Sequence, residues 1–232
     1  MSIGYNPKIV MNGLVFCLDA ANRKSYPGSG TTWSELKSKL TGTLTNGPTY
    51  SSTNNGAIVL DGVNDYVTFG SSFTTLDLTD KSLQCWIKKT GSGSGKGIID
   101  KDFDNGAPNY GGWGLWIQSN NKLWWWNHAN LDLLDDGPNT ISTTTWTNVA
   151  VTYNNTSKTA NFYINGVLNS SKTNASIVEK SSGSSLLLVG SIRDGSASYF
   201  DGSISLILGY NRLLSASEIQ QNYESSRGRY SL

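Results

Sequence analysis

The sequence is short of charge, histidine, cysteine and long apolar runs, and each shortage removes a class of function. Charged residues make up 15% of the 232, against about 25% in typical globular domains. Lys plus Arg at 18 against Asp plus Glu at 17 leaves a net charge of +1. No excess of cations is available to neutralise a phosphate backbone or an anionic bilayer, so neither nucleic-acid binding nor membrane insertion is expected. No stretch approaches the ~18 consecutive apolar residues of a membrane span. The start, MSIGYNPKIV, lacks the basic and apolar regions of an export signal, so none is expected. His128 is the only histidine, and Cys17 and Cys85 stand far apart, which removes an ordinary zinc cluster. No G-x-S-x-G elbow accompanies that histidine to build a nucleophilic triad. Both cysteines lie in apolar stretches, LVFCLDA and LQCWIKK, and are expected as free buried thiols.

Ser, Thr, Asn and Gly take the place of charge, beside 25 Gly, 8 Trp, 11 Tyr and 6 Phe. Turn residues and bulky aromatics together are what a β-rich core needs. Apolar segments with period-two alternation recur between Gly/Asn/Asp/Ser clusters. They predict strands at Gly13–Asp19, Ala57–Leu60, Tyr66–Phe69, Ser82–Lys88, Gly97–Lys101 and Gly112–Gln118. The series continues at Lys122–His128, Thr145–Tyr153, Thr159–Ile164, Ser185–Gly190 and Gly202–Tyr210. Asn165-Gly166 and Asp201-Gly202 suit tight turns. The fold class predicted is all-β, a two-sheet antiparallel sandwich, with one domain over residues 1–232. Residues 1–12 are expected as an N-terminal arm and 227–232 as a C-terminal tail. Ser215-Ala216-Ser217-Glu218 fits a capping box and predicts a short helix over 215–226, with Ile219 and Tyr223 on its docking face.

The richest segment for binding is YGGWGLWIQ at 110–118, followed after a three-residue loop by KLWWWNH at 122–128. Such a hairpin pairs Ile117 with Leu123, Leu115 with Trp125 and Trp113 with Asn127. The opposite face then carries Trp116, Gln118, Lys122, Trp124, Trp126 and His128. Indoles among amide, amine and imidazole groups suit pyranose rings, which present apolar C–H faces and hydroxyls. The same composition also fits a protein interface or a sheet buried on both sides. Arg193 and Asp194, in SIRDGSAS, are further candidates for hydroxyl recognition, with a solvated turn as the simpler reading. Asp61, Asn64 and Asp65 could offer oxygens to Ca²⁺ or merely form Asx turns; no cofactor is required by the sequence. Asp100, Asp102 and Asp104 would share a strand face, but the run enters Asn105-Gly106 and is expected as a solvated hairpin end. Catalysis is accordingly not expected.

Five segments carry a family resemblance: IVLDGVNDYVTFG at 58–70, SLQCWIKK at 82–89, TWTNVAVTYNNTSKTANFYINGVL at 145–168, LLLVGS at 186–191 and YFDGSISLILGYNRLLSASEIQQNYESSRGR at 199–229. As an ordered set they resemble the concanavalin A-like lectin/glucanase jelly rolls in their laminin-G-like branch. The resemblance implies a jelly-roll sandwich. Two departures stand out. Ser205 and Leu206 occupy positions where many relatives carry acids, and Asn148 stands where His is frequent. The opening YNPKIVMNGLVFCLDAANRKSYPGSGTTWSEL and the ending EIQQNYESSRGRYSL are similar to domains on tailed-phage particles, notably of marine phages. That narrower likeness implies a non-catalytic virion protein of a tail, fibre or capsid surface, assembled in the host cytoplasm and bound to other virion proteins. It also implies a homo-oligomer, since such appendages are symmetric, with host-surface glycan as a further partner. A free lectin, an architectural cement protein and a glycoside hydrolase of the same fold are the alternatives.

Overall fold

The alternation along the chain becomes, in a computed structural model that describes residues 7–91, 95–104, 110–126, 133–195 and 198–232, a pair of stacked sheets. In chain order the strands are β1 (Leu14–Asp19), β2 (Thr32–Ser34), β3 (Thr41–Thr45), β4 (Thr49–Ser51), β5 (Ala57–Asp61) and β6 (Tyr66–Thr68). Next come β7 (Lys81–Lys89), β8 (Lys96–Asp104), β9 (Tyr110–Ile117), β10 (Leu123–Trp126) and β11 (Leu133–Leu134). The last are β12 (Thr147–Asn154), β13 (Thr159–Ile164), β14 (Val167–Thr173), β15 (Leu188–Val189) and β16 (Asp201–Tyr210), before helix α1 (Ala216–Ser226). The back sheet runs β14-β13-β12-β7-β16-β5-β4 with β1 added beside β16, and the front sheet runs β11-β10-β9-β8-β15-β6-β3-β2. All pairings are antiparallel, as the composition predicts. Strand β16 serves three partners, with β7 along one edge and β5 then β1 along the other. A register shift falls between Ile204 and Leu206, where the bulged Ser205 is free to bond elsewhere: its hydroxyl donates to Gly56 O at 2.6 Å.

Phe16, Leu83, Ile87, Val149 and Val151 of the back sheet meet Ile99, Trp113, Leu115 and Trp125 of the front sheet in one core. Each such side chain contributes roughly 1.5–3 kcal/mol by leaving water. A second apolar layer lies on the outer face of the back sheet, where α1 covers Trp86, Leu208 and Tyr210. The predicted capping box is formed: Glu218 N donates to Ser215 Oγ at 3.2 Å and Ser215 N to Glu218 Oε2 at 2.9 Å. Ile219 is buried and Tyr223 stacks on Trp86 at 5.6 Å. A buried amide seam fixes the helix. Asn222 donates to Gln84 Oε1 and to Tyr210 Oη, both at 3.0 Å, and accepts from Val10 N at 2.8 Å. Asn148 accepts from Gln84 Nε2 at 2.8 Å in the same seam.

Several expectations are corrected. In the C-terminal tail at 227–232, Arg227–Tyr230 forms a 3-10 turn and Tyr230 stacks on Trp86 at 4.0 Å. The arm is anchored through Val10. Asp201-Gly202 is not a turn but the start of β16. Strands β2, β3, β4, β11 and β14 were not expected, being short or rich in Thr, Ser and Gly, with no apolar alternation to mark them. Cys17 and Cys85 are free, Cys85 buried and Cys17 only half-buried. Among the described residues no helix is long and apolar enough to cross a membrane.

Two outcomes are expected. Asn222→Leu leaves Val10 N–H and Gln84 Oε1 without partners, and its urea unfolding is expected to show a loss of about 2–4 kcal/mol. The Glu218 carboxyl is held down to about 2 by the Arg212 guanidinium and the Ser215 N–H. Its contribution is present above the ordinary glutamate value and is lost as pH falls toward about 2. Glu218→Gln is expected to remove that part of the acid-limb slope in unfolding midpoints.

Candidate functional site

The face of the front sheet turned away from the core is where β8, β9 and β10 gather unusual side chains. Ile117 pairs with Leu123 and Leu115 with Trp125, the register that the three-residue loop predicts; the pairing of Trp113 with Asn127 lies outside the described residues. Trp113, Leu115, Ile117, Leu123 and Trp125 therefore point into the core. Trp116, Trp124 and Trp126 share the other face and pack with Ile192. The rings of Trp116 and Trp126 stack at 5.6 Å and 16°, while Trp124 meets Trp116 edge-on at 4.9 Å. Two glycines make room for this. A Cβ on Gly114 would lie 2.3 Å from Trp116 Nε1, and one on Gly97 would lie 2.5 Å from Ile192 Cγ2.

Beneath the indoles sit two carboxyl groups. Asp100 and Asp102, two apart on β8, are both wholly buried. Trp116 Nε1 donates to Asp100 Oδ2 at 2.7 Å. The Arg193 N–H donates to Asp100 Oδ1 at 3.3 Å and to Asp102 Oδ1 at 3.1 Å. Burial, and then the neighbouring Asp102 carboxyl, push Asp100 well above the ordinary carboxylate range. Both causes favour the protonated form of Asp100. The expected solvated hairpin end is overturned, because β8 continues to Asp104, β15 pairs along its edge, and the turn after β15 lays the Arg193 N–H against both acids. These acids were legible only as a D-x-D alternation; their cover arrives from about ninety residues away.

The structure treats the sequence-predicted residues differently. Trp116 and Trp126 are 2% and 4% exposed, so their ring faces are spent within the domain. Trp124 is half-buried, and its Nε1 is without an acceptor among the described residues. Gln118 Nε2 donates to Leu123 O at 2.6 Å and Asp135 O at 3.3 Å, latching backbone together. The Lys122 ammonium is bonded to Gly137 O. Arg193 is exposed and opens a 3-10 turn over Arg193–Gly195. Asp194 belongs to that turn, but its side chain, like all of His128, lies outside the described residues.

The Asp61 loop is separate from this face, and its carboxylates hold the loop's own backbone. Asp61 Oδ1 accepts from Val63 N at 2.8 Å, Asn64 N at 3.2 Å and Asp65 N at 3.4 Å. Asp65 Oδ2 accepts from Asp61 N at 3.1 Å. Oδ1 of Asp61 and Oδ2 of Asp65 thus cap the loop's own backbone in an Asx turn, and among the described residues no three His, Cys, Asp or Glu side chains come together.

Residues 61–220 match the family model of the concanavalin A-like lectin/glucanases superfamily. No curated protein sequence matches the chain. Among solved structures, domain 4 of an extracellular arabinanase from Geobacillus stearothermophilus, in complex with arabinotriose, is similar with a TM-score of 0.68 and 18% identity. That likeness covers 90% of this chain and 98% of that domain. The binding domain of Paraclostridial Mosquitocidal Protein 1 gives 0.64 at 15% identity, over 91% of this chain and 52% of that one. Trypanosoma rangeli sialidase gives 0.65 at 15% identity, over 94% of this chain. The chain spans only about a third of the sialidase, 33% of its length.

Because burial and the Asp102 carboxyl raise Asp100 above its ordinary 3.8, the folded state binds this proton more tightly than the unfolded chain does. Stability therefore falls as pH rises above that value and levels off above the folded pKa. Asp100→Asn preserves an acceptor for Trp116 and is expected to flatten the decline in urea midpoints between pH 4 and 9. An unchanged slope would contradict a protonated Asp100.

Proposed function

Because the chain belongs to the concanavalin A-like lectin/glucanases superfamily, we propose that it is a non-catalytic carbohydrate-binding domain whose glycan rests on Trp124. One observation carries this reading: Trp124 is the indole of the three that keeps surface in solvent, and it is braced edge-on by Trp116. Trp116 is in turn fixed to Asp100. An aromatic surface that does not have to be ordered on binding retains more of its contact energy. The exposed Arg193, directly after Ile192 in the indole cluster, offers donors to hydroxyls at the rim. The likeness to an arabinanase domain solved with arabinotriose supports the same chemistry.

The non-catalytic part of the reading rests on Asp100 and Asp102. Glycoside hydrolysis needs two carboxyl groups flanking the scissile bond, and these two are wholly buried beneath tryptophan and backbone. They serve as a foundation for the indoles.

The similarity of the opening and ending segments to phage-particle domains supports a finer proposal. The domain is a virion component of a tailed phage, attached to other virion proteins, homo-oligomeric, and turned with its indole face toward the host surface. Exposed Val167 and Leu168 on the edge strand β14, with Leu134 on β11, supply apolar area for such neighbours.

Glycan-array binding by the purified protein, beside Trp124→Ala and with or without EDTA, tests the main reading. Binding is expected, with at least about tenfold loss in the folded variant, near 1.4 kcal/mol, and no effect of the chelator. Equal binding by both proteins would reject Trp124 as the platform.

A further inference from the structure

Five Asn-Gly pairs stand in the sequence, beginning at Asn12, Asn46, Asn55, Asn105 and Asn165. A glycine after asparagine leaves its amide nitrogen unshielded by a side chain, so that nitrogen can reach the preceding side-chain carbonyl and expel its amide. Asn105-Gly106 lies outside the described residues, and the fold treats the other four unequally. Asn46 Nδ2 donates to Asn64 O at 2.8 Å, which holds the group that would leave. Gly56 is buried and its N–H donates to Thr53 O at 3.2 Å, which occupies the nucleophile of that pair. Asn165 Oδ1 accepts from Asn148 N at 2.9 Å, which fixes that side chain on β12. Asn12 is exposed, and among the described residues neither its side-chain amide nor the Gly13 N–H is held by a hydrogen bond.

Residues 11–14 form a turn closed by Leu14 N donating to Met11 O at 3.2 Å. Asn12 and Gly13 are its central residues, with Gly13 at φ +76°, and their N–H groups are left out of the closing bond. Arg212 packs on this turn. Its Nε donates to Asn12 O at 3.0 Å, while Nη1 and Nη2 donate to the Glu218 carboxylate at 2.9 and 2.6 Å. One guanidinium therefore joins the turn to the capping box of α1.

We propose that Asn12 deamidates spontaneously in the folded protein, and that the carboxylate so formed competes with Glu218 for Arg212. The Gly13 nitrogen attacks Asn12 Cγ; the new N–Cγ bond forms, the Cγ–Nδ2 bond breaks, and the Gly13 proton departs with the amide as ammonia. One water then opens the resulting succinimide. Addition at Cγ gives aspartate, and addition at the α-carbonyl carbon gives isoaspartate, with the main chain rerouted through Cβ. Either product places a negative charge at the turn that Arg212 already touches, and a carboxylate is a stronger acceptor for a guanidinium than the neutral carbonyl now there. Glu218 accordingly loses part of its hold on Arg212. Neither step depends on the glycan reading.

Folded protein kept at mildly alkaline pH, beside a sample in concentrated urea, can be followed at all four pairs by peptide mapping that separates aspartate from isoaspartate. In the folded protein Asn12 is expected to convert at least about tenfold faster than Asn46, Asn55 or Asn165, with that preference lost in urea. An intact Asn12, another of the four converting as fast, or a preference that persists in urea would each overturn the site. Asn12→Asp supplies the product without the reaction, and a ¹³C NMR titration is expected to place the Glu218 carboxyl higher in this variant than in the unmodified protein. An unchanged Glu218 titration would overturn the competition for Arg212.

Discussion

The hydrogen bond from Trp116 Nε1 to Asp100, 2.7 Å long and wholly inside the protein, is the contact on which the front face depends. It is the polar tie between the indole cluster and the sheet beneath it. A carboxylate in that place, wholly buried with a second acid two residues away, would be costly. The cost is reduced because burial and Asp102 favour the protonated form of Asp100 and because the Arg193 N–H donates to both acids. Once that arrangement exists, Gly114 must be a glycine, Ile192 must close the cluster from above, and Trp124 is held in one orientation. Rigidity at the proposed sugar platform is thus a consequence of a buried acid pair.

The two outer faces of the sandwich are finished differently, and this gives the molecule direction. The back sheet is capped by α1 and the turn after it, through Trp86, Tyr223 and Tyr230 and the amide seam at Asn222. The front sheet carries its own aromatic cover, built from three residues of one hairpin and the turn at 192–193. The back cover is a helix locked by buried amides. The front cover leaves a half-exposed indole, and that indole is where the proposed glycan platform lies.

Much of this was legible in the sequence where the deciding contacts are local. The Ser215–Glu218 box and the register of the tryptophan hairpin depend on residues within a few positions of each other, and both are found as the spacing predicts. Fold class followed from alternation summed over many strands. What escaped depends on distant partners. Asp100 and Asp102 look like a solvated turn until residues 191–193 are laid over them. Trp116 and Trp126 look available for stacking until Ile192 packs against them. Tyr230 looks like part of a polar tail until Trp86 stands beneath it. Edge strands such as β14, with the sequence VLNSSKT, carry no apolar alternation because one side has no core to face.

The eight tryptophans allow the central claim to be tested where it is made. Indole N–H resonances, followed by NMR during titration with the best-binding oligosaccharide, should show the largest change at Trp124, smaller ones at Trp116 and Trp126, and none at Trp86. A sugar that instead perturbs Trp86 or Trp146, or binds without moving any indole of the front face, would contradict the account.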